Sequence, residues 1–457
     1  MEYTMKQLEN WDEKIREIVK LEGLDCYPQE FEICSYEDML CYMSYIGMPS
    51  HYPHWSFGKA YEKNKTFYKY NLRGLPYEMV INSDPCIAYL IRENTLLLQI
   101  LTMAHVYGHN DFFKNNRLFK EGTSAANTIQ TFKNNSDRVR SYISDPSIGY
   151  HKVERIINTA HALRYQTART INPKKISRED QKKRLLGKYY DEIEKRTLLD
   201  PKSDIPYPNL NKIPLEPEED LMAFLIEHSQ LEDWEKDLLC IVVQETRYFI
   251  PQIETKIMNE GWASFWHYRI LSKLGLSQEL YLEFINRHNE VIRPTLGNIN
   301  PYYIGFKIFE YLEKTQGINK IFEVRTIERD YSFILKYLTK ELCTEMHLFQ
   351  YQKKTDEYII DEVADEEGWK EIRKNLADNI GMGSMPLIKV VEVIGKDRVL
   401  LLEHEYDERE LEMGYAQETL KYLNTLWGSK VILLTVNNGN KSKFICDEGE
   451  FSIVRDF

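Results

Sequence analysis

The stretch Thr95–Asn116, TLLLQILTMAHVYGHNDFFKNN, decides how this chain folds. Its first half is apolar nearly all round, the pattern of a helix buried at the centre of a bundle. Inside that apolar setting stand His105 and His109, four residues apart. Positions i and i+4 of a helix differ by only about 40° in direction, so both imidazoles leave the same face. Two readings are open at this point. The pair ligates a metal, or it is a core pair bonded to backbone or carboxylate groups.

The segments on either side are also mostly helical in pattern. Residues 1–48 read as helical and lead into an aromatic loop, GMPSHYPHWSFGKAYEKN, that holds His51 and His54. Asp84-Pro85 offers an N-cap and an N1 proline, which places the start of the histidine helix there and its end near Asn115. HKVERIINTAHALRYQ (151–166) is a further helix. Residues 170–218 are charged, then Pro-rich, and read as an exposed excursion. Helices are expected again over 219–228, 231–249, 251–274 and 277–290, and from Pro301 in NPYYIGFKIFEYLEK. From about 385 the pattern changes to short Val/Ile/Leu runs, PLIKVVEVI, RVLLLEH, KVILLTVN and SKFICDE, with a helix between the second and third. The expected fold is mainly α: a large helical domain over 1–384, then a small α+β domain over 385–457 of ββαββ order.

Composition narrows the class. The 457 residues are 43% hydrophobic and 28% charged, an ordinary globular balance. Only 21 Gly and 16 Pro against 31 Tyr favours helices with few tight turns. A formal charge of -12 without a basic tract argues against nucleic-acid binding by phosphate neutralisation. The seven cysteines form no CxxC pair, so neither a zinc knuckle nor a disulfide framework is supported. The most apolar run is far shorter than the ~20 residues a membrane span needs, and the N-terminus lacks a signal-peptide core. A cytoplasmic protein is expected.

A second helix, PQIETKIMNEGWASFWHYRIL, carries Glu260 and His267 seven residues apart, within about 20° on one face. Gly261 and Ala263 keep the adjoining surface small, so another helix can approach closely. A carboxylate among Trp262, Phe265 and Trp266 needs compensation by a metal or a basic side chain. Glu245 falls inside the apolar stripe Trp234, Leu238, Ile241, Tyr248, which makes it either paired or functional. Glu154 and His161 repeat the seven-residue spacing on the earlier helix. Tyr302, beside Asn300, is a phenol able to stabilise an oxyanion, or simply core. Glu245, Glu154 and Tyr302 are therefore the catalytic candidates, and His161, His267 and Asn110 the candidates for supporting the first set of ligands.

MNEGWASFW resembles the glutamate helix of the gluzincin metallopeptidases, whose aminopeptidases carry their zinc glutamate in an NEGFAS stretch. In that family a HExxH helix supplies two histidines and this glutamate completes the site. The resemblance implies His105, His109 and Glu260 as ligands of a divalent transition metal, zinc foremost, with iron or manganese as alternatives. It also implies a zinc-dependent hydrolase. Val106, however, stands where that family has its general-base glutamate, so the base must come from elsewhere.

AHVYGHNDFFKNN, AHALRYQ, IVVQETRYFIPQIETKIMNEGWASFWHYRIL and NPYYIGFKIFEYLE, in this order, resemble the SpoVR family, stage V sporulation protein R. The likeness extends to LLLEHEYDERELEMGYAQETLKYLNTLWGSKVILLTV near the C-terminus. It implies a role in forming the peptidoglycan cortex of the spore from the mother-cell cytoplasm. Partners implied by the resemblance are a PrkA-type serine kinase and a von Willebrand A-like protein. The substrate expected is a peptide or a peptidoglycan precursor. The alternative is a non-catalytic regulator or scaffold that keeps the site as a structural metal or polar core.

Overall fold

The computed structural model describes residues 3–70, 76–170, 176–199, 206–294, 299–354, 357–363 and 367–455. The chain divides into two compact units, Met1–Ser141 with Arg247–Ser384, and Tyr142–Thr246 with Met385–Phe457. The protein is mainly helical, and a small C-terminal sheet follows the helical body.

At the centre of the first unit lies the histidine helix, Leu96–Asn115, buried without interruption from Leu97 to Phe113. It starts later than the sequence suggests. Cys86–Ile91, CIAYLI, is a strand, and the helix begins only where the Thr95 side chain accepts from Leu98 N. β-Branched and aromatic residues fit a strand that is paired on both edges, and this outweighs the helix-start signal of Asp84-Pro85. That strand is β3 of a sheet ordered β1-β3-β2, where β1 is Gln29–Cys34 and β2 is Glu78–Ile81. β1 runs parallel to β3, and β2 antiparallel to it. The first 48 residues are thus helix, strand and helix rather than helix throughout.

The glutamate helix, Lys256–Lys273, lies between the histidine helix and a tyrosine helix, Pro301–Gln316. Glycines set both contacts. A Cβ on Gly108 would sit 2.6 Å from Ala263 Cα, and one on Gly261 would sit 2.3 Å from Gly305 Cα. Only glycine lets the backbones meet this closely. Asp330 caps the glutamate helix from outside, accepting from Ile257 N (2.8 Å) and Met258 N (2.9 Å). Buried Asp111 accepts from Trp262 Nε1 at 2.9 Å and pairs with Arg325 at 3.4 Å, fixing the histidine helix to the glutamate helix. A two-stranded hairpin, β4 (Phe349–Lys354) with β5 (Glu357–Val363), also belongs to this unit.

In the second unit, strands β6 (Ile388–Ile394), β7 (Val399–His404), β8 (Val431–Asn437), β9 (Asn440–Asp447) and β10 (Glu450–Arg455) form a sheet ordered β10-β9-β8-β7-β6. Helix Met413–Trp427 makes the crossover between parallel β7 and β8. The order is ββαβββ, one strand more than the sequence reading allows. The last two hairpins turn on Asn438-Gly439 and Glu448-Gly449, all four at positive φ, as two-residue turns of the primed type require. The 170–218 segment contains a long charged helix, Arg178–Leu199, while its residues 171–175 and 200–205 lie outside the described ones.

Candidate metal centre

His105 and His109 leave the histidine helix on the side facing the glutamate helix, their rings edge to face with centroids 4.6 Å apart. Glu260 Oε2 lies 3.8 Å from His105 Nε2 and 3.5 Å from His109 Nε2. A fourth group, Glu78 at the start of β2, places Oε1 3.9 Å from His105 Nε2. Ligand atoms of Glu78, His105 and His109 all lie within 4.8 Å of one another. Two donors on one zinc ion are separated by about 3.3–3.5 Å in a tetrahedral site and by no more than about 4.2 Å. The His105–Glu260, His109–Glu260 and His105–Glu78 separations fall within that reach.

The hydrogen bonds on the far side of each ring explain the orientation. His109 Nδ1 lies 2.9 Å from Asn259 Oδ1, an atom that can only accept. A neutral His109 therefore carries its proton on Nδ1 and aims the bare Nε2 lone pair at Glu260. Glu260 Oε2 is buried and has no hydrogen-bond partner among the described residues. Lone pair facing lone pair in a buried site is unfavourable until a cation sits between them. These residues fit a metal ion.

Electrostatics point the same way. Burial, then neighbouring His105, lower His109 to about 4, so it is neutral at pH 7. Burial pushes the Glu260 carboxyl up, but His105, His109 and Tyr302 outweigh it, leaving a net lowered value and an ionised group. Glu78 is raised, by burial first and then by Glu260. Tyr302, stacked 6.1 Å from His105, is held well above its usual value by the Glu260 charge and by burial. It stays a phenol, hence a donor.

The structure places the other sequence candidates as follows. His267 is in the cluster, its Nδ1 2.9 Å from His105 Nδ1. Asn110 points to the opposite side, where its amide holds Tyr27 N and O and the Gln29 side chain and so ties the approach to β1 to the helix. The asparagine that hydrogen-bonds a ring of the pair is Asn259. Glu154, His161 and Glu245 belong to the second unit. Glu245 is buried, and Glu154 accepts from Tyr150 Oη at 2.9 Å on an exposed face. His51 and His54 are buried, and His54 caps helix Trp55–Lys69. Sequence reading misses Glu78 and Asn259. Asn259 directly precedes Glu260, but Glu78 is on a strand with no periodic link to the histidines.

The fold and site define a mainly helical protein with a buried histidine–carboxylate cluster. The chain belongs to the SpoVR family: residues 2–385 match the SpoVR like protein family, and residues 386–438 match the SpoVR-like C-terminal domain. It is 34% identical over 475 aligned residues to the uncharacterized protein YcgB of Escherichia coli (strain K12), covering 94% of this chain and 92% of that one. No solved structure matches it. Among the described residues no helix is long and apolar enough to cross a membrane.

Proposed function

We propose that His105, His109 and Glu260 bind one divalent transition metal ion, zinc foremost and iron or manganese as alternatives. The protein is then a metal-dependent hydrolase of amide bonds in a peptide or peptidoglycan precursor. The observation that carries this reading is the buried, partnerless Glu260 Oε2 faced by two imidazole nitrogens. When bound, the ion would supply Lewis acidity toward a carbonyl and a more acidic water.

The chain's own groups have complementary tasks. Glu78, with its raised carboxyl pKa, takes the place of the glutamate that Val106 denies the helix, accepting a proton and returning it to the leaving amine. Tyr302, always protonated, donates to the developing oxyanion. By family, this activity serves formation of the spore cortex from the mother-cell cytoplasm. A PrkA-type serine kinase and a von Willebrand A-like protein are its partners.

One observation favours a second reading, a scaffold with a structural metal. If Glu78 also ligates, four protein donors complete a tetrahedron and leave no open position. Metal analysis of the purified protein beside His109→Ala and Glu260→Ala tests the site: stoichiometric metal in the wild type and its loss in both variants are expected. A metal-free wild type sinks the proposal. Azide added to the cobalt-substituted protein separates the two readings, because only an open position lets it shift the visible spectrum.

A further inference from the structure

Behind His105 runs a chain of imidazoles. His105 Nδ1 is 2.9 Å from His267 Nδ1, and His267 Nε2 is 2.8 Å from His288 Nδ1. His267 is fully buried and His288 nearly so. Burial holds both rings low, His288 at about 4, so each is neutral at pH 7 with one ring proton.

With one proton on each of the three rings, the two hydrogen bonds allow two orders for the whole chain. In the outward order His105 Nδ1–H donates to His267, His267 Nε2–H donates to His288, and the His288 proton is on Nε2. His105 Nε2 is then a bare lone pair. In the inward order His288 Nδ1–H donates to His267, His267 Nδ1–H donates to His105, and His105 carries its proton on Nε2, toward Glu260 and Glu78. A mixed order would set two lone pairs or two N–H groups against each other at under 3 Å, which the hydrogen-bond inventory of imidazole forbids.

Without metal the inward order is favoured, since it gives His105 Nε2–H two carboxylates to face at 3.8 and 3.9 Å. A metal ligand needs the outward order. We propose that the His105–His267–His288 chain is a tautomer switch, so that loading the metal site moves the His288 proton from Nδ1 to Nε2, two rings away. The protons balance. His105 Nε2 gives one proton to solvent and each bridging proton crosses its hydrogen bond. His288 Nε2 then takes one proton from solvent, so no ring changes charge. His267 and His288 are thus positioning residues for His105. The inference rests on the metal reading above.

The test is long-range ¹H–¹⁵N correlation on histidine-labelled full-length protein, with zinc and without. The expected result is a His288 proton on Nδ1 in the metal-free protein and on Nε2 with zinc. Zinc affinity, read by competition with a chelating dye, should fall at least about tenfold in His288→Leu, which leaves His267 Nε2–H without an acceptor. His288→Asn, whose side-chain oxygen accepts in place of Nδ1, should restore affinity to within about threefold. Zinc binding with an unmoved His288 tautomer overturns this inference alone, and a wild type that binds no zinc overturns both readings. The wild-type spectra decide the matter even where His288→Leu does not fold.

Discussion

Gly261→Ala should break the helix sandwich that assembles the site, while the same substitution at Gly58 should strengthen the protein. A Cβ at position 261 would lie 2.3 Å from both Cα and C of Gly305 and 2.8 Å from Phe306 N. All three are backbone atoms, so no side chain can swing aside. Ordinary contact begins near 3.4 Å, so the glutamate and tyrosine helices must part by about 1 Å along a seam where Trp262 and Phe309 are packed. Overpacking of this kind costs about 1–3 kcal/mol. Alanine returns up to about 1 kcal/mol of helix propensity. At Gly58, in helix Trp55–Lys69 of the same unit, nothing lies within 4 Å of the added carbon, so only the propensity gain remains. The two variants should therefore differ by about 1–3 kcal/mol, since the propensity gain is common to both. Urea unfolding followed by tryptophan fluorescence reads this well, because Trp262 and Trp266 are both fully buried beside the seam. Gly261→Ala should also weaken zinc binding, since Glu260 moves with its helix. Equal midpoints for the two variants would refute the packing argument.

Asp330 gives a pH prediction. Burial raises its carboxyl to about 8 against the two backbone N–H groups that pull it down. A folded value above the unfolded one, near 4, means the native state holds the proton more tightly. Its stabilising contribution is complete below about pH 4 and declines as the pH rises to about 8. Asp330→Asn should flatten the unfolding free energy across that window, and an unchanged slope would argue against it. Asn116 joins three backbone groups: its amide donates to Arg325 O (2.8 Å) and Glu328 O (3.0 Å), and its oxygen accepts from Leu118 N (3.0 Å). Asn116→Ala should cost about 2–4 kcal/mol by loss of the cap and of two buried acceptors' partners. A thermal shift of under a degree would contradict that.

Much of the site was legible because helices advertise their faces. The His105/His109 spacing, the carboxylate at 260 and the small residues Gly261 and Ala263 are local patterns. A local pattern suffices to say that one helix meets another closely there. The partner of each was not legible. His267 reaches His105 across 162 residues of chain, and Asn259 reaches His109 across 150. Spacing along a single helix says nothing about such pairs. The same limit hid β3. Cys86–Ile91 is short and apolar, so it reads equally as the start of a buried helix, and only its pairing with β1 and β2 decides the matter.

Val106 illustrates the limit most sharply. From the sequence it marks a missing carboxylate, since it occupies the position beside the first histidine where a zinc peptidase would have its base. Val106 is fully buried within the core, about 80° around the helix from the midline of the histidine pair. A glutamate there would have to be desolvated. Glu78 instead brings a carboxylate to within 3.9 Å of His105 from the start of β2. The question posed by the valine is therefore answered by β2, whose pairing with β3 fixes where Glu78 points.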